Sequence, residues 1–149
     1  MINRTFGCRD QYGSRHVAAV RTYFDGLASD WGKHYAEDGL MLGRISQFIS
    51  ACETYAPLGS SILDLGCGTG EIALALSEKG WNVVGCDISK NMLSQAQLRD
   101  GADRVEWCCI DIDDKSIYPF QDQSFDIVTA SSVLEYIDNP QNCLSECYR

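Results

Sequence analysis

The amino-acid sequence predicts an α/β protein whose core is a doubly wound, Rossmann-like parallel sheet with helices on both faces. From residue 60 onward, short apolar runs of strand length alternate with helix-like stretches, and each junction carries Gly, Asp or Ser. Such runs are typical of strands buried on both faces, and the helices between them require a parallel sheet with right-handed crossovers. A glycine-rich loop between the first strand and the first helix of this region favours the same fold class.

Four strands and three helices are predicted in this α/β region. The strands are 61–65, 82–86, 105–110 and 125–130. A helix over 71–79 is closed by Gly80, and a second helix over 89–99 has Ser89 as its N-cap. The last helix, 140–147, opens with a proline, which is favoured at the first helical position.

The first part of the chain, residues 1–58, is predicted to form an N-terminal helical segment or lid. Apolar residues recur there every three to four positions in two stretches, the pattern of amphipathic helices. They are Val17, Val20, Phe24 and Leu27, then Leu42, Ile45, Phe48, Ile49 and Cys52. A loop over 29–39 separates the two helices, and Pro57 ends the second. We expect this segment and the α/β core, 59–149, to form one domain.

Length and charge narrow the possible partners. A chain of 149 residues suffices for one domain of ordinary size. With 12 Lys and Arg against 21 Asp and Glu, its net charge of −9 would repel phosphate backbones and anionic lipid. No apolar run approaches the ~18 residues of a membrane span. We therefore expect neither nucleic acid nor membrane as a partner.

The eight cysteines are interpreted as reduced thiols rather than as a disulfide framework. There is no C-x-x-C, and two histidines cannot complete a zinc template, so no metal site is assigned. Cys86, Cys108 and Cys109 lie in predicted strands, where free Cys behaves as a small hydrophobe. Reduced thiols predict a cytoplasmic protein. Cys143 and Cys147, one helical turn apart, could bind a metal only with other ligands.

The loop over 66–70 is the strongest chemical signal in the sequence. Glycines at alternate positions let the backbone turn sharply and approach a ligand closely. The dinucleotide pattern G-x-G-x-x-G would need glycine at 71, where Glu71 would oppose a pyrophosphate and can instead complement the helix dipole. Asp64, two residues before the first glycine, suits an ammonium group better than a phosphate.

The pattern Asp64-x-Gly66-x-Gly68-x-Gly70 resembles motif I of the class I S-adenosylmethionine-dependent methyltransferases. The resemblance implies that this loop binds S-adenosylmethionine. It extends the candidate cofactor residues to the intervening loop positions, Cys67 and Thr69.

Three further segments resemble the same family in the same order. Asp87, 21 residues beyond Gly66 and followed by Ile88, matches the acid that binds the two ribose hydroxyls. Met92 matches a residue that packs on adenine. Asp111, followed by Ile112, matches the acid that accepts from the adenine amino group.

Two more segments resemble the parts of the family that face the methionine group and the acceptor. Ser131 lies in the loop after the fourth predicted strand, which in relatives lies under the methionine part. Tyr23 and Trp31 resemble the lid of small-molecule methyltransferases, although they could equally pack the first helices onto the sheet. The catalytic residue is unknown, because no side chain is evident as a base.

The resemblance also implies a seven-stranded sheet of order 3-2-1-4-5-7-6, whereas this sequence ends before the fifth strand. The fourth predicted strand would then be an open, apolar edge. We expect either a fragment of a longer protein or an edge that a partner chain or a homodimer covers.

Two functions of different class follow. The first is a methyltransferase that transfers a methyl group from S-adenosylmethionine to a small-molecule acceptor. The second is a non-catalytic S-adenosylmethionine-binding fragment or subunit-interaction module without a complete acceptor pocket. A nicotinamide oxidoreductase is disfavoured by Glu71.

Overall fold

The computed structural model describes residues 15–36, 39, 41–113 and 117–149. The first fourteen residues of the predicted N-terminal segment, with Cys8, lie outside the described residues.

In the described part of the chain, four parallel strands form one sheet, which confirms the predicted fold class. They are β1 (Ser61–Leu65), β2 (Asn82–Asp87), β3 (Val105–Cys109) and β4 (Ile127–Ala130). The order across the sheet is β3-β2-β1-β4, so the chain leaves β1 on one side for β2 and β3 and returns on the other side for β4. This reversal lies between β1 and β4, the position where open α/β sheets form a crevice.

Five α-helices among the described residues pack on the sheet. They are α1 (Arg15–Leu27), α2 (Leu42–Tyr55), α3 (Glu71–Lys79), α4 (Lys90–Gln97) and α5 (Pro140–Tyr148). The predicted cap of α4 is confirmed, because Ser89 Oγ accepts a hydrogen bond of 3.0 Å from Met92 N. Gly80 ends α3 in the left-handed region, with φ of 106°, and Pro140 is the first residue of α5.

Some boundaries differ from the sequence prediction. The predicted loop 29–39 contains a short 3-10 helix, Trp31–Tyr35. The sequence shows no sign of it, because five residues are too few to show a helical apolar period. β4 begins two residues late because Asp126 N donates to Ser61 O at 2.8 Å outside the strand ladder, while Phe125 packs edge-on against Phe120.

Alternate strand residues enter two apolar clusters on opposite faces of the sheet. The first cluster, with residues of α2 and α3, comprises Cys52, Ile62, Ile72, Ala73, Leu74, Leu76, Trp81, Val83 and Val105. The second, with α5, comprises Leu63, Leu65, Cys86, Cys108, Ile110, Ile112, Tyr118 and Cys143. Fully burying one such large aliphatic side chain contributes about 1.5–3 kcal/mol. The two clusters therefore fix the strand ends from which the site is built.

β4 forms one edge of the sheet. It pairs in register with β1, and no strand among the described residues pairs with its other side. The seven described cysteines are free thiols, and four of the buried ones, Cys52, Cys86, Cys108 and Cys143, belong to the two apolar clusters. None of the described helices combines the length and apolar composition that crossing a membrane would require.

Candidate functional site

A cavity that is partly open to solvent lies at the carboxyl ends of the four strands and beneath α1. Eleven of the fourteen residues that the sequence assigns to cofactor binding line it. They are Trp31, Asp64, Gly66, Cys67, Gly68, Asp87, Ile88, Met92, Asp111, Ile112 and Ser131. The parallel sheet brings these residues together because all four strand ends meet at one edge.

The glycine loop is held in a conformation that side chains disfavour. Gly66 and Gly68 have φ of 65° and 55°, in the left-handed region. A Cβ at Gly66 would lie 2.5 Å from Val133 Cγ2, and one at Gly68 would lie 3.1 Å from Trp31 Nε1. The loop can therefore approach a ligand only as bare backbone.

Asp64 places a carboxylate without a full set of partners at the bottom of the cavity. Its side chain is 2% exposed, and Oδ1 accepts a hydrogen bond of 2.8 Å from Thr129 Oγ1, its register partner on β4. The other oxygen, Oδ2, is buried and has no hydrogen-bond partner in the structure. Burial raises the pKa of Asp64 to about 7. An orphaned buried carboxylate oxygen is costly unless a ligand supplies a donor, and a cationic donor fits best.

Asp87, at the end of β2, is oriented by backbone donors. Gly68 N donates to Oδ2 at 2.9 Å and Ser89 N donates to Oδ1 at 2.8 Å. Burial raises the pKa of this carboxyl to about 6, while these hydrogen bonds oppose the shift. Each oxygen keeps lone pairs that can accept from two adjacent hydroxyls.

The remaining strand ends form an apolar slot with an acid at its rim. Met92 and Ile112 are buried, and Ile88 is half-buried. Asp111 Oδ1 accepts from Asp113 N at 3.0 Å, which fixes the carboxylate at the start of the loop after β3. A flat heterocycle with an exocyclic amino group fits such a slot.

Three residues of the sequence assignment lie outside the cavity lining, and each has a physical reason. The Thr69 hydroxyl donates to both carboxylate oxygens of Glu71, at 2.7 and 2.8 Å. A Cβ at Gly70 would lie 2.6 Å from Trp107, so this glycine serves packing against β3. Tyr23 is 57% exposed and packs edge-on against Phe24 at 5.2 Å.

Glu71 itself is buried, and it is bound from two directions. Besides the Thr69 hydroxyl, Arg99 Nη1 donates to its carboxylate at 2.8 Å. The Glu71 carboxylate therefore holds the end of the glycine loop through Thr69 and takes no part in the cavity lining.

Arg44 is a site residue that the sequence analysis missed. It is the one basic side chain among the described residues that line the cavity. Its guanidinium donates to Ser131 Oγ at 3.2 Å and to Ser132 Oγ, across 87 residues of sequence. The apolar period of α2 gave no signal for a half-buried arginine. Because Arg44 and Asp64 both line the cavity, it presents charges of both signs, which suits a ligand with both an ammonium and a carboxylate group.

Aromatic and aliphatic side chains of α1 form a roof over the other half of the cavity. Val17, Val20 and Phe24 share one helical face and line it. Phe24 meets Tyr136 edge-on at 5.0 Å and Trp31 at 5.6 Å between ring centroids. This half suits an apolar, planar molecule.

No imidazole base lines the cavity in the described part of the chain. His16 lies on the exposed side, with Nε2 3.1 Å from Tyr136 O, and His34 packs edge-on against Trp31 at 5.0 Å. Tyr35 lines the cavity, but burial raises the pKa of its phenol. No group of three or more potential metal ligands occurs in the described ranges.

Comparison with known proteins connects this geometry to a family. The family model described as "Methyltransferase domain" matches residues 63–149. The ubiquinone/menaquinone biosynthesis C-methyltransferase of Desulfotalea psychrophila is 31% identical over 149 residues, covering 95% of this chain and 57% of that protein. The demethylmenaquinone methyltransferase of Clavibacter sepedonicus is 40% identical over 103 residues, covering 68% of this chain and 41% of that protein. The chain thus spans about half the length of these curated relatives.

A solved structure agrees in fold. The TehB-like S-adenosylmethionine-dependent methyltransferase from Corynebacterium glutamicum superposes with a TM-score of 0.66 at 25% identity, covering 84% of this chain and 65% of that one. The family model matches more than half of the sequence, and the strand order β3-β2-β1-β4 is the first part of the family order 3-2-1-4-5-7-6. The chain therefore belongs to the class I S-adenosylmethionine-dependent methyltransferases.

Proposed function

We propose that the protein carrying this chain binds S-adenosylmethionine in the cavity and transfers its methyl group to a small, apolar, aromatic acceptor. The observation that carries the proposal is the buried Asp64 carboxylate, whose Oδ2 has no partner in the structure. The ammonium group of the methionine part would satisfy this oxygen. Arg44, with the Ser131 hydroxyl, would hold the carboxylate of the same part.

The other cavity residues suit the nucleoside of the cofactor. Asp87 would accept from the two ribose hydroxyls, and Asp111 from the adenine amino group. Ile88, Met92 and Ile112 would enclose the adenine ring. The backbone of Gly66 and Gly68 would pass close to the ligand because neither residue carries a Cβ.

In this mechanism the protein positions two molecules and does little chemistry of its own. S-adenosylmethionine supplies a methyl group already activated on a sulfonium, with a neutral thioether as the leaving group. Asp64, Arg44 and Asp87 fix the donor, and the α1 roof excludes water and presses the acceptor toward the methyl group. Such positioning is worth about 7–11 kcal/mol in well-oriented reactions.

The acceptor is proposed from the roof and from the names of the relatives. The names of both relatives include a quinone, and Phe24 and Tyr136 supply aromatic edges to a planar ring. The described cavity lining offers no imidazole, so we propose a hydroquinone acceptor whose electron-rich ring carbon or phenol oxygen attacks the methyl group. The S–CH3 bond breaks, the neutral thioether leaves, and the acceptor's proton passes to solvent at the open side of the cavity.

The place and organisation of the protein are also proposals. Free thiols in both core clusters support a cytoplasmic protein. We propose that residues 1–58 act as the lid and 59–149 as the cofactor-binding core. We also propose that a further strand covers the open side of β4, because exposed sheet edges tend to pair with other strands. That strand would come from additional sequence of the same protein, from a partner chain or from a second copy of this chain.

Calorimetric titration followed by a transfer assay tests the proposal. S-adenosylmethionine and S-adenosylhomocysteine are titrated into the chain, and labelled methyl transfer to a soluble 1,4-naphthohydroquinone is then measured. Saturable binding with transfer supports the proposal, and Asp64→Asn should weaken binding. Binding without transfer, by this chain and by a longer protein that contains it, would favour the non-catalytic alternative. Absence of binding by the folded chain would contradict the cofactor site.

A further inference from the structure

A polar contact joins the roof helix to the start of α4. Asp25, on α1, accepts a hydrogen bond of 2.6 Å from Ser89 Oγ, and its Oδ1 lies 3.4 Å from Asn91 N. The Asn91 side-chain amide donates to Asp25 O at 3.2 Å. The side chain and the main chain of one α1 residue thus both bind the first turn of α4.

Ser89 continues this contact to the Asp87 carboxylate. It is fully buried, its N–H donates to Asp87 Oδ1 at 2.8 Å, and its Oγ accepts from Met92 N at 3.0 Å. The Ser89 hydroxyl therefore donates its hydrogen bond to Asp25, while the backbone N–H of the same serine orients the Asp87 carboxylate at the end of β2. The path from α1 to Asp87 consists of two hydrogen bonds through a single residue.

The path connects two parts of the cavity that otherwise belong to different elements. On the same helix as Asp25, Val17, Val20 and Phe24 form the roof. Asp87, at the other end of the path, is also held by Gly68 N from the glycine loop. The negative charge of Asp25 adds to the effect of burial in raising the pKa of Asp87.

We propose that Asp25 is a positioning residue that couples closure of α1 over the cavity to binding of the cofactor ribose at Asp87. The inference rests on the proposed function, because it requires a ribose at Asp87. Ligand at Asp87 stabilises the closed α1, and by thermodynamic reciprocity a closed α1 strengthens binding of the ligand. Donor binding then shifts α1 further toward the closed roof over the acceptor half.

The test compares two ligands that differ at the ribose, S-adenosylhomocysteine and its 2′-deoxy analogue. In Asp25→Ala, S-adenosylhomocysteine should bind about 5- to 20-fold more weakly, the lower range of ordinary coupling between sites. The affinity that the 2′-hydroxyl adds should shrink as well, because Asp87 is less well oriented. Asp25→Asn keeps an oxygen that can accept from Ser89 Oγ and should retain most of the affinity.

Glu53→Ala is the matched control. It removes an exposed carboxylate from α2, also in the N-terminal segment, and should leave both affinities unchanged. If Asp25→Ala weakens both ligands by the same factor, Asp25 merely holds α1 in place and the coupling is wrong. Unchanged affinity in Asp25→Ala would also overturn it.

Hydrogen exchange of the unmodified chain gives a second test that does not depend on folding of a variant. Saturating S-adenosylhomocysteine should slow amide exchange across residues 15–27, with a smaller effect from the 2′-deoxy analogue. Equal exchange with and without ligand would contradict the coupling. If the unmodified chain binds neither ligand, the proposed function fails at the cofactor, and this inference fails with it.

Discussion

The two halves of the cavity are built by different means. In the donor half, the loop after β1 and the end of β2 are held by short-range geometry, chiefly left-handed glycines and backbone N–H groups that donate to Asp87. In the acceptor half, Val17, Val20 and Phe24 of α1 form the roof, and Phe24 meets Tyr136, from a distant part of the chain, edge-on at 5.0 Å between ring centroids. The donor half is therefore specified locally, whereas the acceptor half depends on how the N-terminal segment packs.

The largest effect is expected at the glycine loop, and it would disable the donor half. Gly68→Val puts an L side chain in the left-handed region, at about 1–2 kcal/mol. Crowding against Trp31 adds about 1–3 kcal/mol. Thermal denaturation and S-adenosylhomocysteine titration should show lower stability and loss of binding. The control Gly43→Ala lies in α2 with no neighbouring atom within 4 Å of the new Cβ. It should retain both the thermal stability and the S-adenosylhomocysteine affinity of the unmodified chain.

Asp87→Ala tests the ribose contact within the same half. It removes a carboxylate that could accept two hydrogen bonds from the cofactor, and it should weaken binding by about 1–3 kcal/mol. Calorimetry with S-adenosylmethionine measures this loss. An affinity equal to that of the unmodified chain would show that the ribose lies elsewhere.

Arg44→Ala tests where the donor half ends, because Arg44 comes from the N-terminal segment but is proposed to bind the donor. Binding of S-adenosylhomocysteine should weaken by about 1–2 kcal/mol, toward the lower end of the cost of removing one hydrogen-bond partner. Binding of 5′-methylthioadenosine, which lacks the amino-acid carboxylate, should stay constant. Lys79→Ala, at the exposed end of α3, controls for lost positive charge. Equal losses for both ligands would argue that Arg44 supports the fold rather than the carboxylate.

The smallest effect is on the stability of the free chain as pH changes. Burial raises the pKa values of Asp64 and Asp87 to about 7 and about 6, above the usual 3.8. The folded chain therefore binds more protons than the unfolded chain in this window, so its stability should fall as pH rises from about 4 to about 7. Asp64→Asn should flatten this slope in denaturant titrations. A stability that increases over that pH range would contradict the raised values.

Much of the donor half could be predicted from the sequence because its signals are local. The strand β1, the helix α3 and the Ser89 cap agree with their predictions, since each depends on neighbouring residues. Thr69 was assigned to the cavity because it lies inside the motif. Its hydroxyl turns to Glu71 instead, and sequence position alone cannot reveal that choice.

The acceptor half could be predicted only in outline. A lid was expected from residues 1–58, and Trp31 does line the cavity, but the exposed Tyr23 does not. Arg44, which also comes from the N-terminal segment but is proposed to bind the donor, carried no motif, and its place follows from contacts between distant segments. The physical reason is that side-chain direction at such contacts depends on packing of the whole segment, not on local periodicity.

The central claim is that the unpartnered Asp64 carboxylate receives the ammonium group of the donor. Titration of S-adenosylmethionine near pH 6.5, in two buffers of different ionisation enthalpy, measures the protons exchanged on binding. A cation beside Asp64 lowers its raised pKa, so we expect proton release on binding and tighter binding as pH rises toward about 8. The release should disappear in Asp64→Asn. Binding without proton release, and with an affinity independent of pH, would contradict the assignment of Asp64.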